Sequence, residues 1–241
     1  MEKIFQRRMR LLSVVITSIL VLSLFSSCKD DDEELHVTPS QTGTMQDLEG
    51  NTYNWIRLGS LDWMAENLKA GTPFYEQTAI DEWTGWPGPK FYIEDMEQAI
   101  QDYNTFGNYY SYEEAMDNCP EGWRLPTDED WQNLEIALGM SGNDAQNYGW
   151  RKGAAFLMLQ TAEQGTGLSL RLGGEISRPL YNIEQNHQYE FGYYWSSTEI
   201  IVNGEPSAII RRVTPGQNSV QRLTAQKNTR WLSVRYVRDA K

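Results

Sequence analysis

Two cysteines, Cys28 and Cys119, and two histidines, His36 and His187, bound the chemistry open to this chain of 241 residues. A zinc site needs Cys and His clustered at short spacings, and these four are scattered. No Ser or Cys stands with a His in a nucleophile–base pattern, and no phosphate-binding glycine loop is present. Paired carboxylates can hydrolyse glycosides, yet spacing singles out no pair among the 33 acidic residues. The expectation is a non-catalytic protein with no metal and no cofactor. Binding chemistry is better represented. Nine Trp and 13 Tyr are many for this length. Aromatic faces stack on sugar rings, and planar amides and guanidinium groups bond hydroxyls or carboxylates. Two groups of residues offer this. Trp83 and Trp86 sit beside Pro and Gly in a long loop, where the alternative is a satellite core beneath it. Residues 199–230 are rich in Asn, Gln, Arg and Thr, with Glu199, Asn203, Arg211, Gln217, Gln221 and Arg230 as candidate ligand contacts. Arg211, Gln221 and Arg230 are expected to be exposed, so truncating them should cost no more than about 0.5 kcal/mol.

Cys28 carries a different chemistry. Lys3, Arg7, Arg8 and Arg10 precede an apolar run over residues 11–25, and Ser26-Ser27 lead into Cys28. The run is short for a spanning helix, which needs about 20 residues, and the arrangement is that of a signal peptide. Small residues directly before a cysteine resemble a bacterial lipobox, although Phe25 stands where an aliphatic is usual. On this reading residues 1–27 are removed and the Cys28 thiol is acylated, anchoring the chain to a membrane. Asp30, Asp31, Asp32, Glu33 and Glu34 follow as a solvated tether. Such acids resemble the signal that sends Bacteroidota-type lipoproteins to the outer face of the outer membrane. Several acyl chains would hold firmly, at about 0.8 kcal/mol per buried CH₂.

Residues 1–27 hold four of the 21 basic and one of the 33 acidic residues, so the remainder carries 17 against 32, a net charge of −15. That acidity argues against nucleic acid as a partner. After residues 28–46, the acylated cysteine and polar tether, residues 47–241 suffice for one well-buried domain. Residues 47–51 read as a turn and 53–58 as a strand, with 61–64 pairing back as a hairpin. Residues 70–106 are the least regular, with a helix expected over 94–103. Ser111 and Glu114 form a capping box, and Thr127 with Asp130 forms a second. Trp131, Leu134 and Leu138 mark the buried face of that second helix, and Gly139 ends it. Residues 154–159 form a continuous apolar run, buried whether helix or strand. Strands are expected at 168–172, 193–197, 208–213, 220–223 and 232–237. Helices in the middle with strands at both ends indicate an α+β domain, its first and last strands adjacent. From Gly204 onward there are eight basic residues against two acids. Pairing with acids of the same domain is favoured over an anion-binding patch.

Three segments carry a family pattern: Gly50-Asn51 with Tyr53 leading to Trp63-Met64-Ala65-Glu66-Asn67-Leu68; Cys119-Pro120-Glu121-Gly122-Trp123-Arg124-Leu125-Pro126-Thr127 with Trp131; and Gly192-Tyr193-Tyr194-Trp195-Ser196-Ser197-Thr198, closing with Ser233-Val234-Arg235. Over residues 47–238 the chain resembles the Fibrobacter succinogenes major paralogous domain family. Its Arg-Leu-Pro-Thr segment is also similar to formylglycine-generating enzymes and C-type-lectin-like domains. The resemblance implies a C-type-lectin-like α+β domain, two capped helices flanking a twisted, mainly antiparallel sheet. Residues 70–106 match no part of the pattern. Cys119 is alone, unlike the catalytic cysteines of the formylglycine enzymes, and Glu205-Pro206-Ser207 only weakly echoes a calcium-lectin triplet. Trp63, Glu66, Trp123, Arg124, Trp131 and Trp195 are therefore assigned structural roles, with Trp123 and Trp195 mostly buried and Glu66 paired with Arg124. The functional expectation is a surface-exposed lipoprotein module that binds extracellular glycan or another extracellular ligand. An adhesin or protein-binding accessory subunit of an outer-membrane assembly is the alternative.

Overall fold

Alternating apolar residues around a Gly59-Ser60 turn build the first hairpin. The structure, a computed structural model, describes residues 35–80, 84–178 and 184–241; Cys28, its acidic tether to Glu34 and Trp83 lie outside the described residues. Strand β1 (Thr42–Gln46) pairs with β2 (Thr52–Leu58), and β2 with β3 (Leu61–Met64), all antiparallel. Between β1 and β2, Asp47 Oδ1 accepts from the amides of Glu49 and Asn51 at 3.0 and 2.9 Å. This is the local bonding that favours Asp in turns.

The irregular stretch then forms a small hairpin, β4 (Thr78–Ile80) with β5 (Pro87–Pro89), and a helix α1 (Met96–Phe106) capped by Asp95. Helix α2 (Tyr112–Asp117) starts at a complete box: Ser111 Oγ accepts from the Glu114 amide at 3.2 Å, and Glu114 returns the bond at 2.7 Å. Helix α3 (Asp128–Ala137) starts the same way from Thr127 and Asp130. A short α4 (Gly142–Gln146), strand β6 (Gly149–Lys152) and a short α5 (Ala155–Leu159) follow. The apolar run at 154–159 is thus one helical turn, and it leaves Phe156 half exposed.

The late chain is β-rich: β7 (Glu175–Ser177), β8 (Glu184–Asn186), β9 (Gly192–Val202), β10 (Glu205–Thr214), β11 (Ser219–Gln226), β12 (Arg230–Trp231) and β13 (Val237–Asp239). The strands form sheets ordered β1-β2-β3-β13, β6-β11-β10-β9, β12-β7-β8 and β4-β5. Among the described residues the named strands pair antiparallel, and the class is α+β, with hydrogen bonding divided over four sheets instead of one. The last strand closes on β3, so both ends of the domain share a sheet.

Two expected strands are corrected. Residues 168–172 join no sheet among the described residues: Ser169 turns to φ 50°, and the amides of Ser169 and Leu170 donate to the Gln160 and Met158 carbonyls at 3.0 and 2.9 Å. Arg235 donates to the carbonyls of Leu168 and Ser169 at 2.8 and 2.7 Å, and the Tyr194 hydroxyl bonds both the amide and the carbonyl of Arg171. The expected strand at 232–237 is broken into single bridges between β12 and β13, and Arg235 within it is buried, 1 % exposed. Burial drives its pKa down to about 10.

Among the described residues three apolar clusters make the core. One joins β2, β3 and α3 to β10 and β11, with Trp63, Trp131 and Tyr194 inside. A second holds Tyr110, Tyr112, Trp195, Ile210 and Tyr236. The third, built from Phe74, Phe91, Tyr109, Ile176 and Trp231, pins the variable stretch to β7 and β12.

Candidate functional site

Most of the late arginines serve the inside of the domain. Arg211 is the sharpest correction: expected on a recognition face, it is fully buried. Its Nε donates to Glu135 at 2.6 Å, and its Nη1 to Asp128 at 2.7 Å. Arg151 grips Glu135 with two bonds of 2.6 and 2.9 Å, and Arg222 grips Asp128 at 2.6 Å. Three guanidinium groups and two carboxylates thus form one network beneath α3. A buried charge must be paired, so Arg211 has no freedom to meet a ligand. Likewise Arg238 pairs with Asp62 at 2.9 Å, and Lys227 with Glu199 at 3.2 Å.

The motif tryptophans sit as anchors. Trp63 and Trp131 lie 4.9 Å apart between ring centroids, and Trp131 Nε1 donates to the Trp195 carbonyl at 3.3 Å. Trp195 is 1 % exposed. Trp123 is only half-buried, with the Arg238 guanidinium 4.8 Å above its ring. Glu66 does not pair with Arg124. It accepts from the Asn54 amide and side chain at 3.2 and 2.7 Å, across the β2–β3 turn-back. Arg124 instead forks onto Asp130, the acid that closes the α3 capping box, and reaches Asp239 at 3.4 Å. Burial pushes the Asp130 carboxyl up, but Arg124 and Thr127 outweigh it and hold it below the usual carboxylate range. Cys119 is half-buried against the second cluster, and burial pushes its thiol up to about 11. That is the opposite of an activated nucleophile.

The remaining candidates in 199–230 scatter. Glu199 is exposed but held by Lys227 and by the Tyr112 hydroxyl at 3.2 Å. Gln217 is exposed in the β10–β11 connection at φ 62°, and Asn203 occupies the β9–β10 turn at φ 52° ahead of Gly204 at φ 84°. Turn geometry accounts for Asn-Gly there. Gln221 lies in a cross-strand row with Trp150, Arg212 and Tyr193. In that row the Arg212 guanidinium covers the rings of Trp150 and Phe191 at 4.6 and 4.7 Å. Of the six, only Asn203 and Arg230 are brought to one place, a cleft of about 300 Å³.

The other open feature is the β4–β5 hairpin. Trp86 is 75 % exposed at its tip, and the ring beside the following strand end, Tyr92, is 78 % exposed. Ile80 on the same hairpin is also open. Tyr92 and Ile80 were not singled out by sequence, although the adjacent Phe91 and Tyr92 must point to opposite sides of an extended chain. Phe91 fills the third cluster and Tyr92 faces out. At the hairpin base lies a polar cleft of about 420 Å³, lined among others by Thr72, Glu76, Gln77, Lys90, Asn108 and Asn118. Lys90 Nζ bridges Glu114 and Gln77 at 2.7 and 3.0 Å, fixing the cleft wall. Among the described residues no group of His, Cys, Asp and Glu is placed to hold a metal ion. Nor is any helix there long and apolar enough to cross a membrane.

The sequence profile of the family described as the Fibrobacter succinogenes major domain matches residues 56–238. No curated protein and no solved structure matches the chain.

Proposed function

Given that this chain belongs to the Fibrobacter succinogenes major domain family, we propose that it is a lipid-anchored, surface-displayed module that binds extracellular glycan without catalysis. The observation that carries this reading is the open ring of Trp86, set on a proline-edged hairpin above a polar cleft. Sugar sites combine an aromatic face for the ring with a few fixed polar groups for the hydroxyls, and the hairpin and cleft together offer both. The anchor in this proposal is acylated Cys28, and the location is the outer face of the outer membrane. The domain is proposed to be C-type-lectin-like, supported by its capped helices and by the meeting of first and last strands in one sheet. The test is affinity electrophoresis and a glycan array with the protein and its Trp86→Ala variant. Retention by a plant, host or microbial glycan that falls in Trp86→Ala, with an unchanged melting temperature, is the expected result. Absence of binding across the panels refutes the reading.

Ile80 favours a second reading, since an exposed aliphatic beside an open Trp suits a protein partner better than a sugar. Crosslinking after gentle detergent extraction separates the two. A stoichiometric protein crosslinked through the hairpin, in a chain that retains no glycan, selects the second.

A further inference from the structure

The cleft that gathers Asn203 and Arg230 lies at the far end of the late strands, between the β9–β10 turn and the β11–β12 connection. Its lining is of one electrostatic kind. It includes Arg178, Asn203, Ser207, Thr224, Gln226 and Arg230, and no carboxylate. In a chain of net charge −12, this hollow is walled by two arginines and, among the described residues, no acid. Arg230 is tied on one side, where its Nη1 meets the buried carboxylate of Glu175. Its backbone is fixed by pairing with Ser177 in β12–β7. Arg178 is held by its backbone, its amide donating to the Thr229 carbonyl at 2.9 Å. Its guanidinium makes no hydrogen bond or ion pair among the described residues, unlike Arg211, Arg222, Arg230, Arg235 and Arg238. Most late guanidinium groups are thus paired or hydrogen-bonded, and this one stands half-buried at a cleft wall without a partner among the described residues.

We infer that this cleft is a binding site for a carboxylate-bearing sugar, with Arg178 as the carboxylate fork and Arg230 beside it. A planar guanidinium matches a planar carboxylate through two parallel bonds. Ser207 and Thr224, with the amides of Asn203 and Gln226, supply the donors and acceptors that ring hydroxyls need. The volume stands at the lower end of small-molecule sites, about 300–1,000 Å³, which suits one sugar unit and not a protein segment. Long-range electrostatics oppose the choice of ligand, because the chain as a whole repels polyanions. Retention of an acidic sugar therefore has to come from local contacts, which makes it a sharp observable. The site is distinct from the hairpin, and Trp86→Ala leaves it intact.

The experiment uses the full chain in detergent micelles and three probes: a galacturonic acid oligosaccharide, its methyl ester, and a sulfated dextran oligosaccharide. Isothermal calorimetry should register the free acid and not the ester. Arg178→Gln should weaken that binding roughly 10- to 100-fold, as for loss of a charge-assisted pair. Its melting temperature should stay that of the wild type, since the guanidinium makes no hydrogen bond or ion pair among the described residues. Arg230→Lys, which keeps a cation for Glu175, should weaken binding while preserving the fold. Equal binding of the ester, unchanged binding in Arg178→Gln, or no binding of the free acid overturns the inference. Binding of the sulfated probe alone also overturns it. Loss of acid binding in Trp86→Ala, with Arg178→Gln unaffected, would assign the acid to the hairpin instead. Failure of the neutral-glycan panels leaves this result standing.

Discussion

Removing Glu135 should damage the domain more than removing the arginine it shares with Asp128. Glu135 is fully buried and accepts three bonds, two from Arg151 and one from Arg211. In Glu135→Leu, Arg151 keeps only the Ala145 carbonyl at 2.8 Å, and Arg211 keeps only Asp128 as a carboxylate partner. Three guanidinium groups then face one carboxylate. Breaking a buried pair in this way costs about 3–5 kcal/mol. Arg211→Met is milder by the same count. It leaves Arg151 on Glu135 and Arg222 on Asp128, two charges against two, while the methionine fills much of the stem's volume. The loss is Arg211's bonds to charged groups, about 1.5–3 kcal/mol. For a domain of this size 1 kcal/mol moves the melting temperature about 2–4 °C. The expected falls are therefore about 6–20 °C for Glu135→Leu and about 3–12 °C for Arg211→Met. Circular dichroism melts and urea titrations at neutral pH measure both. If Glu135→Leu melts with the wild type, or Arg211→Met is the more damaging, the charge count is wrong. The network also has a pH signature. Burial pushes the Asp128 carboxyl up, but Arg222 and Arg211 outweigh it and hold it below the usual carboxylate range. Its folded pKa is then below its unfolded one. The stability it contributes is full above the unfolded value, about 4, and is lost as pH falls through the folded value. Asp128→Asn should flatten this acid limb of a stability–pH curve; an unchanged limb refutes the assignment.

Trp195→Ala should cost about 3–5 kcal/mol, as for a fully buried aromatic, whereas Trp123→Ala should cost clearly less, because its ring is half-open at the edge of the second cluster, with Arg238 over it. Urea midpoints rank the two, and the reverse order contradicts the burial argument. Cys28→Ser should abolish incorporation of radiolabelled fatty acid and release the chain from membranes; labelling at the wild-type level rejects the proposed anchor.

What could be read from sequence was local, and what could not was the facing of side chains across the fold. Ser111 with Glu114 and Thr127 with Asp130 announce their helices because each box closes within one turn. The β2–β3 hairpin is legible for the same reason. Residues 168–172 mislead because alternation shows neither that Ser169 turns to φ 50° nor who bonds the backbone. One partner of its carbonyls is Arg235, more than sixty residues later. The proline–glycine setting of Trp86 left exposure and a satellite core equally open, and Arg178, which has no motif around it, was not singled out. Arg211 and Arg212 are adjacent on β10, so one of them had to face inward, and strand alternation alone does not say which. A register shift between Ala208 and Ile210 complicates the count further. Yet the answer was partly written on α3. The buried face marked by Trp131, Leu134 and Leu138 also takes Asp128 and Glu135, three residues before and four after Trp131, which helical geometry puts on the same stripe. Two acids on a buried stripe demand buried cations, and a chain whose last 38 residues hold eight basic side chains has to send some of them there. Arg211 and Arg222 are thus called inward by carboxylates on a helix some eighty residues earlier. A cation that meets no such carboxylate among the described residues, as Arg178 does not, becomes informative.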